Sequence, residues 1–500
     1  MTARVGAAQA IWHARTPRSA RDRAYVAYMA AMVALVTVLP VIRTVWVGLN
    51  SAEGFAILAA AEAPDAVTVI VSGVWAACLL LGRTRGPALR PPFLTYALAS
   101  SDVSRSAAFA GSMLGAGALP IALLTVAATL VSITMSGRGL VDPVSAMVFV
   151  LAGVLAGVIA AAAWLAGQAL PRASAPLALG VLVLGLLAGA CPPVQHVTPW
   201  GWVGLAYPTA ASSSPSETIA PLGLMTAALV SLVPPLLNRL TTPALTSQAL
   251  RWESATTHLS GMEFAAAASV YGAQPRVGRR LRAIPPWTRR SFVFLIRDAV
   301  GAARTPGRFV AGTLALALAG ALISISFTAG MSPWVLGAVA GVVLLAGLGP
   351  LTDGIRHAAH VASDLPLYGM TDERLLAHHV LFPLLLSVVV ILLAAVTCSL
   401  LSGGPLIPTA LSAVTLGMLT LTARIGTALK GSLPPALLTP IPTPVGDLGA
   451  AARLAWALDG VVMAAMAGAS VTLASGSPAP LIGTGVVLAV LVIRRWRNRA

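Results

Sequence analysis

Long apolar stretches separated by short polar ones run through the whole chain. Twelve of them approach or exceed the 20 or so mainly apolar residues that an α-helix needs to cross the hydrocarbon core of a bilayer. They fall at roughly 25–48, 66–83, 106–135, 143–169, 174–191 and 219–238, and then at roughly 309–330, 333–351, 376–401, 406–425, 456–474 and 479–494. The runs are rich in Ala, Leu and Gly. None shows the in–out alternation over about ten residues that a membrane β-strand carries, so helices are expected. The first run exceeds the roughly 7–15 apolar residues of a signal-peptide core and no clear cleavage site follows, so it reads as a retained span.

Composition agrees with lipid as the solvent. Apolar residues make up 57% of the 500 and charged residues 10%, against about 25% charged in an average globular protein. The mean hydropathy is +0.86. A soluble, disordered or disulfide-built chain is excluded. The net charge of +16 would suggest nucleic acid if read as a sum. Its distribution says otherwise. With the N-terminus in the cytosol, 30 of the 32 basic residues fall in segments expected on the inner face, and only Arg43 and Arg138 fall outside. The excess therefore encodes orientation and contact with the inner leaflet of the plasma membrane, with both termini cytosolic and no nucleic-acid partner. Lys430 is the only lysine; every other cation is arginine.

The fold class expected is all-α: a polytopic membrane protein of twelve transmembrane helices arranged as two parallel six-helix repeats. Residues 1–238 form the first half with an N-terminal interfacial helix. Residues 239–308 form a central cytosolic segment with a second interfacial helix, and 309–500 form the second half. Ala-Arg-Thr-Pro occurs before span 1 (Ala14–Pro17) and again before span 7 (Ala303–Pro306). Both neighbourhoods predict amphipathic helices at the inner interface, marked by Arg15 in the first half and by Arg289, Arg290, Arg297, Asp298 and Arg304 in the second. Ala99–Arg105 and Tyr368–Arg374 carry helix-start signals between the second and third spans of each half, which predicts a short polar cytosolic helix at both places. Outside, the segment at roughly 192–218 carries Trp200, Trp202 and Tyr207, suited to an aromatic anchor at the outer leaflet or to a substrate lid.

The chemistry of a motor is missing. No phosphate-binding loop, zinc-protease motif, nucleophile elbow or dinucleotide fingerprint stands out, so no catalytic, cofactor-binding or metal residues are expected. Cys78, Cys191 and Cys398 lie far apart and read as small buried hydrophobes. His357, His360, His378 and His379 sit on a cytosolic loop and a span entrance, where polar residues occur without any ligand role. Asp459, near the start of span 11, is expected near the headgroups with Arg453 as its partner. Arg43 is expected to snorkel to the outer headgroups.

Taken with the interfacial segments, Arg297-Asp298 and Arg304-Thr305-Pro306-Gly307-Arg308 before span 7, and Thr198-Pro199-Trp200 before span 6, the chain resembles the type 2 ABC exporter permeases. The resemblance is to the fused twelve-span form of high-GC Gram-positive bacteria, described as exporters of polyketide antibiotics or multidrug permeases. It covers most of the chain and departs at 475–478, too short for a second outer element. It implies a separate cytosolic ABC ATPase, in two copies, that brings ATP and Mg. It implies that Asp102, Arg105, Asp372, Glu373 and Arg374 contact that ATPase, and that Trp200, Trp202 and Tyr207 belong to an outer gate. Spans with little buried charge suit a lipophilic cargo: an antibiotic, a lipid or a hydrophobic peptide. Two other readings remain open on the residues alone. A proton-coupled transporter of the major facilitator type shares the span count, but Leu81–Pro87 lacks the acid that its loop after span 2 carries. A non-transporting scaffold could recruit partners through the basic central segment.

Overall fold

The computed structural model describes residues 39–210, 215–261, 263–272, 290–328, 333–361, 369–431 and 446–498, with scattered positions before 39, in 277–278 and in 433–443. The chain divides into two compact units, Met1–Thr257 and His258–Ala500. The boundary falls inside the central segment.

The first unit contains α1 (Leu39–Asn50), α2 (Ala52–Leu58), α3 (Ala63–Thr84), α4 (Pro92–Ala99), α5 (Arg105–Ser136) and α6 (Pro143–Ala169). It continues with α7 (Ser174–Ala190), α8 (Pro192–Val197), α9 (Pro199–Leu205), α10 (Pro215–Ser231), α11 (Val233–Asn238) and most of α12 (Thr242–Ser260). Local chemistry sets these ends. Asp142 caps α6 by accepting the Ser145 backbone N–H at 2.8 Å, with Pro143 at the first helical position. Those bonds from Ser145, side chain and backbone, hold the Asp142 carboxyl below its usual range. Pro234 and Pro235 donate no backbone hydrogen bonds, and the sixth run breaks there into α10 and α11.

The second unit contains α13 (Phe264–Val270), α14 (Arg290–Ala303), α15 (Pro306–Thr328), α16 (Pro333–Leu348, with a 3-10 turn to Leu351) and α17 (Asp353–Val361). Then come α18 (Asp372–Ser402), α19 (Leu406–Ala428), α20 (Leu448–Leu473) and α21 (Ala479–Arg497). Gly403, at φ +66°, ends α18 in the left-handed conformation that glycine adopts without strain. A two-residue ribbon pairs Pro442 with Asp447 and Thr443 with Gly446. The described residues are otherwise helical apart from turns and short connections.

Ten described helices are long and apolar enough to cross a membrane. The protein is a multi-pass membrane protein. Ten of the twelve expected runs are thereby matched. Of the other two, the run at 25–48 lies mostly outside the described residues, with α1 as its described end. The run at 174–191 is α7, whose 17 residues at 1.5 Å each make about 26 Å.

If the six runs of each unit are numbered in order, five pairs recur in both. Run 2 packs on runs 4 and 5, run 3 on run 4, run 1 on run 3, and run 4 on run 6. The second unit also packs run 1 on run 2, run 4 on run 5 and run 5 on run 6. The third runs, α5 and α18, are the longest described helices, of 32 and 31 residues, and each has a buried proline in its interior, Pro120 and Pro383.

Small residues make this packing possible. Lipid gives helices no hydrophobic reason to associate, so close van der Waals approach must hold them. In the second unit Gly337 and Gly341 of α16 lie against Ala464 and Gly468 of α20. A Cβ at Gly341 would strike the Ala464 carbonyl, and one at Gly468 would strike the Gly337 carbonyl. Several interior threonine hydroxyls are satisfied within their own helices. Thr68, Thr134, Thr226 and Thr352 donate to the carbonyls of Pro64, Leu130, Leu222 and Leu348 at 2.7–3.0 Å.

Gly341→Val should force α16 and α20 apart and cost about 1–3 kcal/mol or more, the usual range for overpacking. Gly483→Val is the control, since nothing lies within 4 Å of a Cβ there. Thermal unfolding of the detergent-purified protein should separate the two variants by several degrees; equal midpoints would contradict the packing.

Candidate functional site

The arginine-bearing end of the second unit holds the densest polar cluster. It is built where α14, α17, the start of α18 and the end of α19 converge. Helix α14 is amphipathic: Phe294 is buried while Phe292 is exposed. From its inner side Asp298 reaches the start of the third run. Its Oδ2 lies 2.7 Å from His379 Nδ1, and the His379 side chain is fully buried. With the carboxylate ionised, Nδ1–H is the donor, which fixes that face of the ring. The opposite nitrogen, Nε2, is buried without a hydrogen-bond partner. Phe294 meets the His379 ring edge-on at 5.0 Å, and His357 lies 6.4 Å from it, centre to centre. Gly354 permits the approach, because a Cβ there would fall on Asp298 Oδ2 and His379 Nδ1.

Around this pair the cluster is tied down by arginines. Asp353 pairs with Arg308 at 3.3 Å and with Arg356. Arg424 of α19 donates from Nε to Thr352 Oγ1 at 3.1 Å. Burial, then Arg297 and His379, hold the His357 imidazole below its usual range, with Asp298 pulling the other way. His360 and His378 each spend Nδ1 on the carbonyl four residues earlier, those of Arg356 and Arg374. No group of three metal-ligating side chains occurs among the described residues.

A second charged cluster joins α19, α20 and α21. Lys430 Nζ lies 2.7 Å from Asp459 Oδ1 and 3.8 Å from the centre of the Trp456 ring. Arg495 pairs with the other oxygen of Asp459 and donates to the Gly426 carbonyl at 2.9 Å. This corrects the expected Asp459–Arg453 pair: Arg453 donates to the Leu437 carbonyl at 2.9 Å instead. Lysine and aspartate lie 29 positions apart in sequence, and no local spacing signals the pairing. Burial lowers the Lys430 ammonium from its usual range, and Asp459 opposes that shift.

The expected coupling residues divide into two kinds. Asp372, Glu373 and Arg374 form the first turn of α18, with Glu373 and Arg374 exposed. Asp102 is exposed in the turn before α5. Arg105 starts α5 and is committed inside the unit: its guanidinium donates to the Leu240 carbonyl and, at 3.3 Å, to Thr242 Oγ1. The expected short polar helices are corrected as well. The ends of the signals at Ala99–Arg105 and Tyr368–Arg374 open the long third helices themselves, the short helices lie upstream as α4 and α17, and 364–368 lie outside the described residues. A spanning helix can begin in polar sequence well before its apolar run.

Helix α12 is an element that the arginine count hid. In the first unit Gln248 of α12 donates to the carbonyls of Gly82 and Arg83 and accepts from Gln168 Nε2 at 3.0 Å. Arg85 lies over the Trp252 ring at 3.4 Å. Of the interfacial residues, Arg15 and Arg289 lie outside the described residues, and Arg290 is placed only as the first residue of α14. Arg297 and Asp298 join the cluster above, and Arg304 directly follows the last turn of α14. The first-half interfacial segment is described at Trp12, which stacks on Phe93 of α4 at 5.9 Å.

At the opposite end of the first unit, α8 and α9 make a short helical pair. The expected surface anchor is corrected for Trp200 and Tyr207, which are buried inside the unit. Trp200 meets Trp75 edge-on at 6.1 Å. Tyr207 donates to the Leu58 carbonyl at 2.8 Å, and burial pushes its hydroxyl up to about 12. Trp202, half-buried, donates to the His196 carbonyl at 2.7 Å. Gln195 ties the pair to α3 by donating to Asp65 and Thr68 at 3.0 Å each. Cys78, Cys191 and Cys398 are free thiols, all half-buried.

No family model, no curated protein and no solved structure matches this chain.

Two measurements probe the α14–α18 junction. His379→Leu leaves the Asp298 carboxylate buried without its donor, at an expected cost of about 3–5 kcal/mol; Asp298→Leu with His379→Leu should recover part of it. Thermal melts that rank the double variant below the single one would count against a buried pair. His357 is held below its ordinary 6.5, so the folded state binds fewer protons there, and docking of α17 should weaken as the pH falls below that value. Hydrogen exchange in α17 should show excess opening at about pH 5.5 relative to about pH 7.5, and His357→Gln should reduce that difference.

Proposed function

We propose that the chain is the membrane-spanning permease subunit of an ATP-driven exporter of the type 2 ABC kind. Its twelve spans form two parallel six-helix halves, both termini face the cytosol, and the arginine-bearing end faces a separate ATPase. The cargo is lipophilic, an antibiotic, lipid or hydrophobic peptide taken from the cytosol or the inner leaflet. The halves move between inward- and outward-facing states as nucleotide binds and leaves the partner.

One observation carries this reading. The exposed turn Asp372–Arg374 is the end of a 31-residue helix that runs along α15 and α19, and the buried Asp298–His379 pair fastens α14 to that helix near its start. A partner gripping that turn therefore holds a rigid lever rather than a loop. The matched pairing of runs in the two units supports a duplicated plan, and Asp102 before α5 marks the corresponding place in the first half. Two such places suit two copies of an ATPase. In the first half Asp102 is exposed in the turn before α5, and Arg105 binds Leu240 and Thr242. Buried Trp200 and Tyr207 suit the hinge of an outer gate, with α8 and α9 as its moving part.

Affinity purification of the full chain from its native host should bring down a P-loop ATPase. In the reconstituted complex, Arg374→Glu should reduce transport-coupled ATP hydrolysis about tenfold while leaving the melting temperature of the permease unchanged. Efflux that persists without ATP and collapses with the proton gradient would point to secondary transport instead.

A further inference from the structure

Three guanidinium groups converge on two adjacent residues at the arginine-bearing end of the second unit. Arg308 of α15 and Arg356 of α17 both pair with Asp353, and Arg424 of α19 donates from Nε to Thr352 Oγ1. One carboxylate therefore faces three cations from three helices, which leaves two positive charges in excess. Arg308 adds to the imbalance, because it stands in the first turn of α15, where the helix dipole favours an anion.

Arg424 is the unspent member. A guanidinium carries five N–H donors in a fixed fork. Among the described residues Arg424 uses only Nε, so both Nη groups meet no protein acceptor. Neither Nη is sealed inside the protein. A Cβ at Gly349 would lie 3.6 Å from Nη2, so the glycine leaves the space beside that nitrogen open. Thr352 commits its own proton to the Leu348 carbonyl at 3.0 Å, and its contact with Nε orients the fork without neutralising it. Arg424 is half-buried and close enough to Arg356 and Asp353 to feel both charges. At the Lys430 junction, by contrast, each cation touches the Asp459 carboxylate.

Depth names the class of anion. The 23 residues of α19 make about 34 Å of helix, slightly more than the roughly 30 Å hydrocarbon core. Arg424 lies four residues before the end of α19, about 6 Å of helix, at the level where headgroups meet hydrocarbon. A phospholipid phosphate sits at that level, and a protein docking from the water does not reach it.

We propose that Arg308, Arg356 and Arg424 form a binding site for the phosphate of an anionic phospholipid, with the Nη fork of Arg424 donating to two phosphate oxygens. The two excess charges select a headgroup that brings no cation of its own, so phosphatidylglycerol is bound in preference to phosphatidylcholine. This inference is independent of the exporter reading, since it requires only that α15 and α19 cross a bilayer.

The test uses the full chain in phosphatidylcholine nanodiscs with and without phosphatidylglycerol. Native mass spectrometry should show phosphatidylglycerol retained in preference to phosphatidylcholine. Arg424→Gln should lower that retention at least about fivefold, and Arg424→Lys, which keeps the charge and loses the fork, should fall between the two. Arg494→Gln removes an exposed arginine from the last turn of α21 and should change retention by less than about twofold. Phosphatidylglycerol should also raise the melting temperature of the unaltered chain and leave that of Arg424→Gln unmoved. Equal losses from Arg424→Gln and Arg494→Gln would mark unselective attraction and overturn the site. So would an Arg424→Gln variant that melts lower in phosphatidylcholine yet keeps the full phosphatidylglycerol shift, because the arginine is then structural. Displacement of the retained lipid by millimolar inorganic phosphate would assign the site to free phosphate and overturn the lipid assignment.

Discussion

Lipid tails solvate a leucine side chain about as well as another leucine does. The helices of this protein therefore cannot be held together by the effect that holds a soluble core, and its organisation depends on what replaces it. The replacement is close contact at small residues. Where Gly337, Gly341, Ala464 and Gly468 meet, two helices touch nearly backbone to backbone. Such seams tolerate almost no added volume, which makes the bundle interior more demanding of residue size than of residue polarity. The same economy explains Thr68, Thr134, Thr226 and Thr352, whose hydroxyls bond back to their own helices and leave no polar demand on a neighbour.

Charged contacts are kept for the ends of the helices. In the second unit three carboxylates, Asp298, Asp353 and Asp459, gather His379, Arg308, Arg356, Lys430 and Arg495. Apart from Asp353–Arg356, which lies within α17, each pair joins elements distant in sequence or fixes a short helix to a long one. Burial makes the Asp298 and Asp459 contacts directional, because a charge withdrawn from water tolerates little misplacement. The first unit closes its corresponding end by other means. There α12 uses the amides of Gln168 and Gln248 and the Arg85–Trp252 stack, with Arg105 donating to backbone carbonyls. Neutral amides impose a smaller desolvation cost than ions, so the two units share five helix pairings but close these ends with different chemistry.

The helices were legible in the sequence because a span of about 20 apolar residues leaves little freedom of interpretation. Ten runs match described helices within a few residues over most of their ends, and the misplaced ends share one cause. The third helices extend through Arg105 and Asp372 into polar sequence, and hydropathy is silent about polar helical turns. Helix α12 was hidden for the same reason, since its sequence from Thr242 to Ser260 is neither apolar nor strongly patterned. Pair partners were not legible at all. His379 lies 81 positions from Asp298, and Lys430 and Arg495 lie 29 and 36 from Asp459. Spacing rules reach only one or two helical turns, so the nearest opposite charge, Arg453, was the natural partner to expect and the wrong one. The aromatic segment around Trp200 misled in another way. Tryptophan favours both membrane interfaces and protein interiors, and only the contact with Trp75 separates the two.

The single lysine has a chemical consequence. Reagents that acylate amines find one side-chain target in 500 residues, and that target lies between a carboxylate and the face of an indole at the junction of the last three helices. Its ammonium must lose a proton and leave that enclosure before it can act as a nucleophile. Modification at Lys430 therefore records how often α19, α20 and α21 part company, and the chain carries its own clock for that motion without any introduced label.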